Sequence, residues 1–375
     1  MKSILPLVAF LTLNQMVFTG GRFLVALYAV SLHAPSFWFG VLIALFSFTA
    51  TLTSVPAGRL IDRVGTRIPV LVTLALMTLA MVLPLALPGL APLFLVAPLA
   101  GGAFFAFYTC TTTLSHAASA AGARAANFSW LTVGASAGQA IGPLAAGLLI
   151  DHHSHMAAFV LMAVLPALSY LLFRVTGLRH VGPQAGGASH HQRGAFDLLR
   201  NRDLRPVLFL STLFIMAADV FVVMVPIYGT QLQLSASEMG LVASAFSLAS
   251  FTVRALSAWI VRWFTAWRLM LMAIALAGAG TLLVGTVSWL PLLMLFAYCA
   301  GFGQGLGAPV ATSVLYEEAP PGRASEAMGL RISLGMATQS VLPVVIGSVG
   351  SFVRADLVFV VMGLVLLAGA LGERR

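Results

Sequence analysis

Charge is what this chain has least of. Only 8% of its 375 residues are charged and 60% are hydrophobic, whereas about a quarter of a soluble globular domain is charged. With a mean hydropathy of +0.99, that shortage excludes a soluble fold and implies a polytopic membrane protein. Cysteine is almost as scarce. Cys110 and Cys299 both fall inside apolar runs, which excludes a disulfide framework. There is no G-x-x-x-x-G-K-[ST] loop, H-E-x-x-H pair or catalytic triad, which argues against an ATP-driven pump and against an enzyme, and no cofactor is expected. The net charge of +9 would point to nucleic acid in a soluble chain. In a membrane protein its placement matters more than its sum, and no nucleic-acid partner is expected.

What is present is apolar length. A helical crossing needs about 20 apolar residues, and runs of that order lie at 4–32, 37–57, 68–88, 91–115, 127–150, 156–174, 206–230, 238–261, 268–288, 291–316, 326–350 and 356–372. The first begins near Ile4, with only Lys2 before it, and continues past Arg22. That is too long for a signal-peptide core, so it reads as an uncleaved first helix. With a cytoplasmic N-terminus, Arg59, Arg63, Arg67, Arg124, the cluster from Arg174 to Arg205, Arg262, Arg268, Arg323, Arg374 and Arg375 all fall inside, and Arg354 alone falls outside. This is the positive-inside asymmetry. It implies an even number of crossings and both termini in the cytoplasm of a multi-pass protein of the inner (plasma) membrane.

The longest polar stretch, 179–205, holds glycines, His180, His190, His191 and several arginines, and reads as a solvated cytoplasmic linker. It separates an N-terminal six-helix half, 1–178, from a C-terminal one, 206–375. Sliding the chain by 200 residues pairs Pro6 with Pro206, Tyr28 with Tyr228, Gly40 with Gly240, Phe46-Ser47 with Phe246-Ser247 and Ala100-Gly101 with Ala300-Gly301. The same offset pairs Gln139 with Gln339, Pro143 with Pro343 and Gly147 with Gly347. Pro, Gly, Tyr and Gln matches at one ungapped offset mark an internal repeat.

Between the second and third runs stands Gly58-Arg59-Leu60-Ile61-Asp62-Arg63-Val64-Gly65-Thr66-Arg67. The order G-x-L-x-D-R-x-G-x-R resembles the loop between helices two and three of the major facilitator superfamily of transporters. At the repeat offset Arg262, Thr265 and Trp267 replace Asp62, Gly65 and Arg67, so only the first half keeps the motif. The fifth run carries Gly138-Gln-Ala-Ile-Gly142-Pro143-Leu-Ala-Ala-Gly147, which is similar to the fifth-helix signature of that family's antiporters. Gly134, Gly138, Gly142 and Gly147 also have a plainer reading, a small-residue face for close helix packing. The family's fourth-helix arginine is missing, since Ala97 and Pro98 stand ahead of Gly101-Gly102. Coupling would then use another group or be absent.

The resemblance implies an all-α membrane protein of twelve transmembrane helices in two parallel-repeat six-helix halves, with a substrate site near the midplane. It implies a cavity lined by helices one, four, seven and ten. It also implies a gate in which Asp62, with Gly58, Arg63, Gly65 and Arg67, meets the start of helix eleven, and a contact between halves at Gly142 and Pro143.

Ionisable side chains inside spans cost at least ~2.5 kcal/mol each and are functional candidates by default. They are Arg22, Asp219, Arg254 and Arg331. Gln15, Thr19 and Arg22 follow one another at helical spacing and form one polar stripe. Tyr108, Thr112 and Gln304 are cavity candidates, or else line helix seams through local hydrogen bonds. Arg22 and Asp219 read either as a substrate and proton-coupling pair or as a static ion pair, and Arg331 as a cavity cation or a part of the gate. Three cations against one acid would suit an anionic substrate. Asp151-His152-His153-Ser154-His155 has the composition of a metal site, but a five-residue turn rarely converges three ligands on one ion, so a solvated loop is expected there.

The function these observations imply is alternating-access transport of a small organic solute, anionic or amphipathic, by proton-coupled efflux, with the protein as a monomer among membrane lipids. Uptake or facilitated diffusion of an organic anion is the alternative within the class. A non-transporting membrane receptor or assembly factor on the same scaffold is the alternative outside it.

Overall fold

The computed structural model describes residues 4–118, 124–175, 195–202, 204–260, 263–320, 323–349 and 354–372. Among them are twelve α-helices and no strand: α1 Leu5–Ser31, α2 Ser36–Val64, α3 Arg67–Ala86, α4 Leu93–Ala118, α5 Arg124–His152, α6 His155–Val175, α7 Leu204–Gln231, α8 Ala236–Ile260, α9 Ala266–Val284, α10 Leu290–Glu318, α11 Ala324–Val349 and α12 Ala355–Gly372. All twelve contain a window long and apolar enough to cross a membrane. Helix is the form that satisfies every backbone donor and acceptor within one segment, which is what an apolar solvent demands.

One expected loop is not a loop. α2 runs through Gly58, Asp62 and Arg63 to Val64, and only Gly65 and Thr66 separate it from α3. Gly65 has φ 77° and donates its N–H to Ile61 O, 2.8 Å away. Its positive φ, free of a Cβ penalty, ends the helix where charge alone had suggested an earlier stop.

The chain divides into two compact units, Met1–Ala188 with Leu234–Ser244, and Ser189–Gln233 with Ala245–Arg375. In the first, α1 packs on α5 and α6, α2 on α4, and α3 against α4 and α6. In the second, α9 packs on α10 and α12, and α7 on α10, α11 and α12. The boundary between the units passes through α8, after Ser244.

The repeat is visible in where the helices begin. α2 and α8 begin at Ser36 and Ala236, α5 and α11 at Arg124 and Ala324, and α6 and α12 at His155 and Ala355. His33 and Gln233, which follow α1 and α7, are the two non-glycine residues with positive φ among those described, at 54° and 58°. Tyr28 Oη accepts from Gly89 N–H at 3.3 Å, and Tyr228 Oη donates to Val287 O at 3.0 Å. Each tyrosine thereby ties the end of its helix to the connection that follows the third helix of its unit.

The first part of the linker, 176–194, lies outside the described residues. Its end forms a short 3-10 helix, Ala195–Arg200. Within the second unit Arg323 grips it, donating from Nη1 and Nη2 to the two oxygens of Asp197 at 2.8 and 2.9 Å and from Nε to Glu326 at 2.8 Å. Bidentate geometry makes this the strong form of an exposed ion pair. The hydrogen bond from Arg323 holds Asp197 below the usual carboxylate range, and the bond to Asp197 raises Arg323. A depressed carboxylate contributes above its ordinary pKa and loses that contribution as pH falls through the lowered value, so the grip is at full strength at neutral pH. Asp197→Asn is expected to speed tryptic cleavage after Arg200 several-fold at pH 7, as high salt would in the wild type. Equal cleavage rates would show that the grip holds nothing.

Candidate functional site

In the first unit the polar stripe of α1 is shielded. Gln15 is 4% exposed and Arg22 8%. Arg22 stands about 14 Å below the end of α1 at a rise of ~1.5 Å per residue, close to the middle of a hydrocarbon core about 30 Å thick. Gln15 and Thr19 face the glycines of α5. Thr19 Oγ1 donates to Gln15 O at 2.8 Å and to Gly138 O at 3.4 Å. A Cβ on Gly138 would lie 2.7 Å from Gln15 Cβ, and one on Gly142 would lie 2.8 Å from Thr19 Oγ1 and 2.9 Å from Gly20 N. Gly134 meets Val8 and Thr12 in the same way. The fourfold glycine spacing therefore lets α1 and α5 approach backbone to backbone, and it is this seam that holds Gln15 and Thr19.

On α4 Tyr108 and Thr112 are half-buried. Thr112 Oγ1 donates back to Tyr108 O and Thr109 O at 3.1 and 2.9 Å, and Thr109, Thr111 and Thr113 bond their own helix likewise. Sequence reasoning missed the aromatic group beside them. Phe18 of α1 stacks on Phe104 with ring centroids 4.2 Å apart and meets Phe105 edge-on at 5.7 Å, and Tyr108 lies 6.3 Å from Phe104. The signal was present in Phe104, Phe105 and Tyr108, aromatics at helical spacing. It also missed Asn14, fully buried, whose Nδ2 donates to Ser169 Oγ of α6 at 2.8 Å.

In the second unit Asp219 is 4% exposed on α7, about 18 Å from the helix end at Gln231. Gln304 of α10 reaches α7, its Nε2 donating to Phe214 O at 2.8 Å. Arg331 is buried in α11, and its Nη1 donates to Thr312 Oγ1 of α10 at 2.7 Å. Gln304 and Arg331 thus both cross between helices of their own unit.

Of the motif that ends α2, Arg63 and Arg67 are exposed, and a Cβ on Gly58 would meet nothing within 4 Å. The side chains of Asp62 and Arg254 lie outside the described residues.

The metal-like cluster does not converge. Among the described residues no group of three or more candidate ligands could hold an ion. Asp151 Oδ1 instead accepts from Ala236 N–H at 3.0 Å and Oδ2 from Ser237 N–H at 2.7 Å, while the ring of His155 lies 5.4 Å from that of Tyr28. Pro143 is buried, and its carbonyl would be 2.8 Å from a Cβ on Gly240 of α8.

The sequence matches the family model described as Major Facilitator Superfamily over residues 7–331 and again over 207–372. No curated protein matches it in sequence. Among solved structures it resembles a mutant of the nucleoside transporter NupG, with a TM-score of 0.82 at 14% identity over 99% of this chain and 100% of that one. It also resembles a POT family transporter in complex with 5-aminolevulinic acid, at 0.80 and 14% over 98% and 94%. A third similar structure is the human organic anion transporter MFSD10 (TETRAN), at 0.68 and 20% over 99% and 98%. At these identities the likeness is one of fold.

Proposed function

Since this chain belongs to the major facilitator superfamily, we propose that it is a secondary active transporter that exports a small organic solute by alternating access, exchanging it for protons. The observation that carries this reading is the pair of buried ionisable side chains deep in apolar helices, Arg22 at 8% and Asp219 at 4% exposure. Each costs at least ~2.5 kcal/mol to insert, which makes both functional candidates. Arg22, Arg331 and Arg254 outnumber Asp219, which favours a carboxylate, phosphate or sulfonate on the solute. The rings of Phe18, Phe104, Phe105 and Tyr108 would suit the apolar body of an amphipathic one. The sequence of α5 supports export, and the arginine asymmetry supports an inner membrane with both termini in the cytoplasm.

Uptake or facilitated diffusion of an organic anion is the second reading, favoured by the excess of buried arginine and by the likeness to an organic anion transporter. A screen of solutes in inverted membrane vesicles, with and without a pH gradient, separates the two. Accumulation that follows the gradient supports antiport, and accumulation that ignores it leaves a transporter without proton coupling. A screen in which no solute moves would sink both.

The charge of the solute is tested at Arg22. A charge-assisted hydrogen bond contributes about 1.5–3 kcal/mol, so Arg22→Gln is expected to weaken binding of an anionic solute about 10- to 100-fold while affecting a neutral analogue far less. Equal losses for the two would mean that Arg22 supports the helices rather than the solute.

A further inference from the structure

The uncovered side of α9 ends in a charge. Met272, 50% exposed, Leu276 and Leu283 form an apolar stripe on the outside of the second unit. One turn before Met272 the stripe closes with Arg268, exposed in the first turn of the helix. An apolar stripe left open on a membrane helix lies against acyl chains, so Arg268 stands where the acyl chains give way to headgroups. The fold does not require a charge at this point. At the matching position in the first unit, the uncovered side of α3 begins with Ile68, 58% exposed.

The residues around Arg268 also depart from their counterparts. Trp263, 68% exposed, and the exposed Phe264 lead into α9 where the first repeat has Arg63 and Val64, and Trp267 replaces Arg67. Tryptophan settles at the headgroup level. The acid is gone as well. Arg262, which lies outside the described residues, replaces Asp62, and no acid occurs in the sequence between Glu238 and Glu317.

Acids on neighbouring helices lie further out. Gly280 meets Ala300 and Gly303 meets Ala273, so α9 and α10 run antiparallel. Arg268 is then about level with Val310, and Glu317 lies about 10 Å further along α10. α12 is antiparallel to α9 too, Gly278 meeting Gly363 and Gly285 meeting Asp356. After α12 the sequence reads Glu373-Arg374-Arg375, one acid against two bases.

For the helix itself Arg268 is badly placed. The macrodipole opposes a cation in the first turn, and that turn of α9 holds no acid to offset it. A phosphate here would meet the guanidinium, which can hold it through two parallel N–H donors.

We propose that the start of α9 is a binding site for an anionic phospholipid, with Arg268 on the phosphate, Trp263 and Phe264 beside the glycerol, and an acyl chain along Met272 and Leu276. Arg268 and Leu276 are about 12 Å apart along the helix axis, within the ~15 Å of one leaflet. The inference rests on the reading that places this end of α9 in the cytoplasm, where the leaflet is the anionic one.

The test is lipid retention by the full-length protein, purified in detergent, incubated with phosphatidylglycerol or phosphatidylcholine and weighed intact by native mass spectrometry. The wild type is expected to keep phosphatidylglycerol in preference to phosphatidylcholine, and Arg268→Gln to lower that occupancy several-fold. Arg268→Lys should restore part of it, since an ammonium keeps the charge but not the fork, and Trp263→Ala should lower it to a smaller extent. Arg205→Gln removes an exposed arginine at the start of α7 in the same unit and should leave occupancy unchanged. Equal retention of the two lipids, full occupancy in Arg268→Gln, or an equal loss in Arg205→Gln would each overturn the site, the last because it would show only the general attraction of a basic face. The leaflet is read separately, with Cys110 and Cys299 replaced by Ala and Thr265→Cys labelled by an impermeant maleimide from each side of the membrane. Labelling from the cytoplasmic side supports the assignment, whereas labelling from the outer side would overturn the orientation and with it the choice of leaflet. Retention needs no solute, so its failure leaves the transport reading standing.

Discussion

Replacing Asp219 by Asn is expected to abolish accumulation of the solute against a gradient while leaving its binding and exchange measurable. The acids of this chain are few, 11 in all, and Asp219 stands apart from the rest. Glu238, Glu326 and Asp356 occupy the first turns of α8, α11 and α12. Asp62 and Asp151 lie in the last turns of α2 and α5, and Glu317 and Glu318 end α10. Asp197 is in the linker helix, and Asp203 and Glu373 fall outside the apolar runs. A proton carried through the middle of the membrane needs a titratable group there, and α4 has no arginine to assist it. Asp219 meets the requirement by position and burial. Asn keeps its size and a hydrogen-bonding oxygen but cannot release a proton. Loss of concentrative transport together with loss of pH dependence would therefore assign the coupling to this carboxyl. Asp219→Asn that still concentrates solute with wild-type pH dependence would place the coupling group elsewhere.

The twelve crossings were legible because bilayer thickness imposes a length that composition alone reveals, and their observed bounds differ from the apolar runs by a few residues except at α2. There the charges from Arg59 to Arg63 imitate a loop. A helix that emerges from the hydrocarbon can stay helical among charges, and its stop is set by the backbone of Gly65. The repeat was legible in Tyr28 and Tyr228, but not the partners of their hydroxyls, because Gly89 and Val287 are held by tertiary placement rather than by any local pattern. The candidate site shows the same division. That Gln15, Thr19 and Arg22 share one side of α1 follows from helical geometry, whereas the packing of Gln15 and Thr19 against Gly138 and Gly142 needs the position of α5. Asp151 was read among its histidine neighbours in sequence, and its partners are 85 and 86 residues away.

The repeat also makes a matched prediction about stability. A Cβ on Gly101 would run into the backbone carbonyl of Phe46, and one on Gly301 into that of Phe246. The first crossing joins α4 to α2 and the second α10 to α8, each within its own unit. Where the obstructing atom is a flexible side chain, a methyl group can be absorbed by a rotamer change. Here it is backbone, and the helices must separate along the crossing, losing dispersion contacts over several turns. Overpacking typically costs about 1–3 kcal/mol and occasionally more, so Gly101→Ala and Gly301→Ala are each expected at or above the top of that range. Gly102→Ala should cost less, because its nearest neighbours are the methyl groups of Thr49 and Thr53 at 3.0 and 3.3 Å. Gly329→Ala, with nothing within 4 Å, should be neutral or slightly stabilising in a helix. Thermal melts of the purified protein in detergent would order the four variants. The Gly101 and Gly301 changes should lower the midpoint most and by similar amounts, and as distant sites their effects should add in the double variant. A Gly101→Ala protein as stable as Gly329→Ala would mean that α2 and α4 do not cross at that carbonyl. A large drop at one of the two glycines alone would mean that the repeat in sequence is not matched by a repeat in packing.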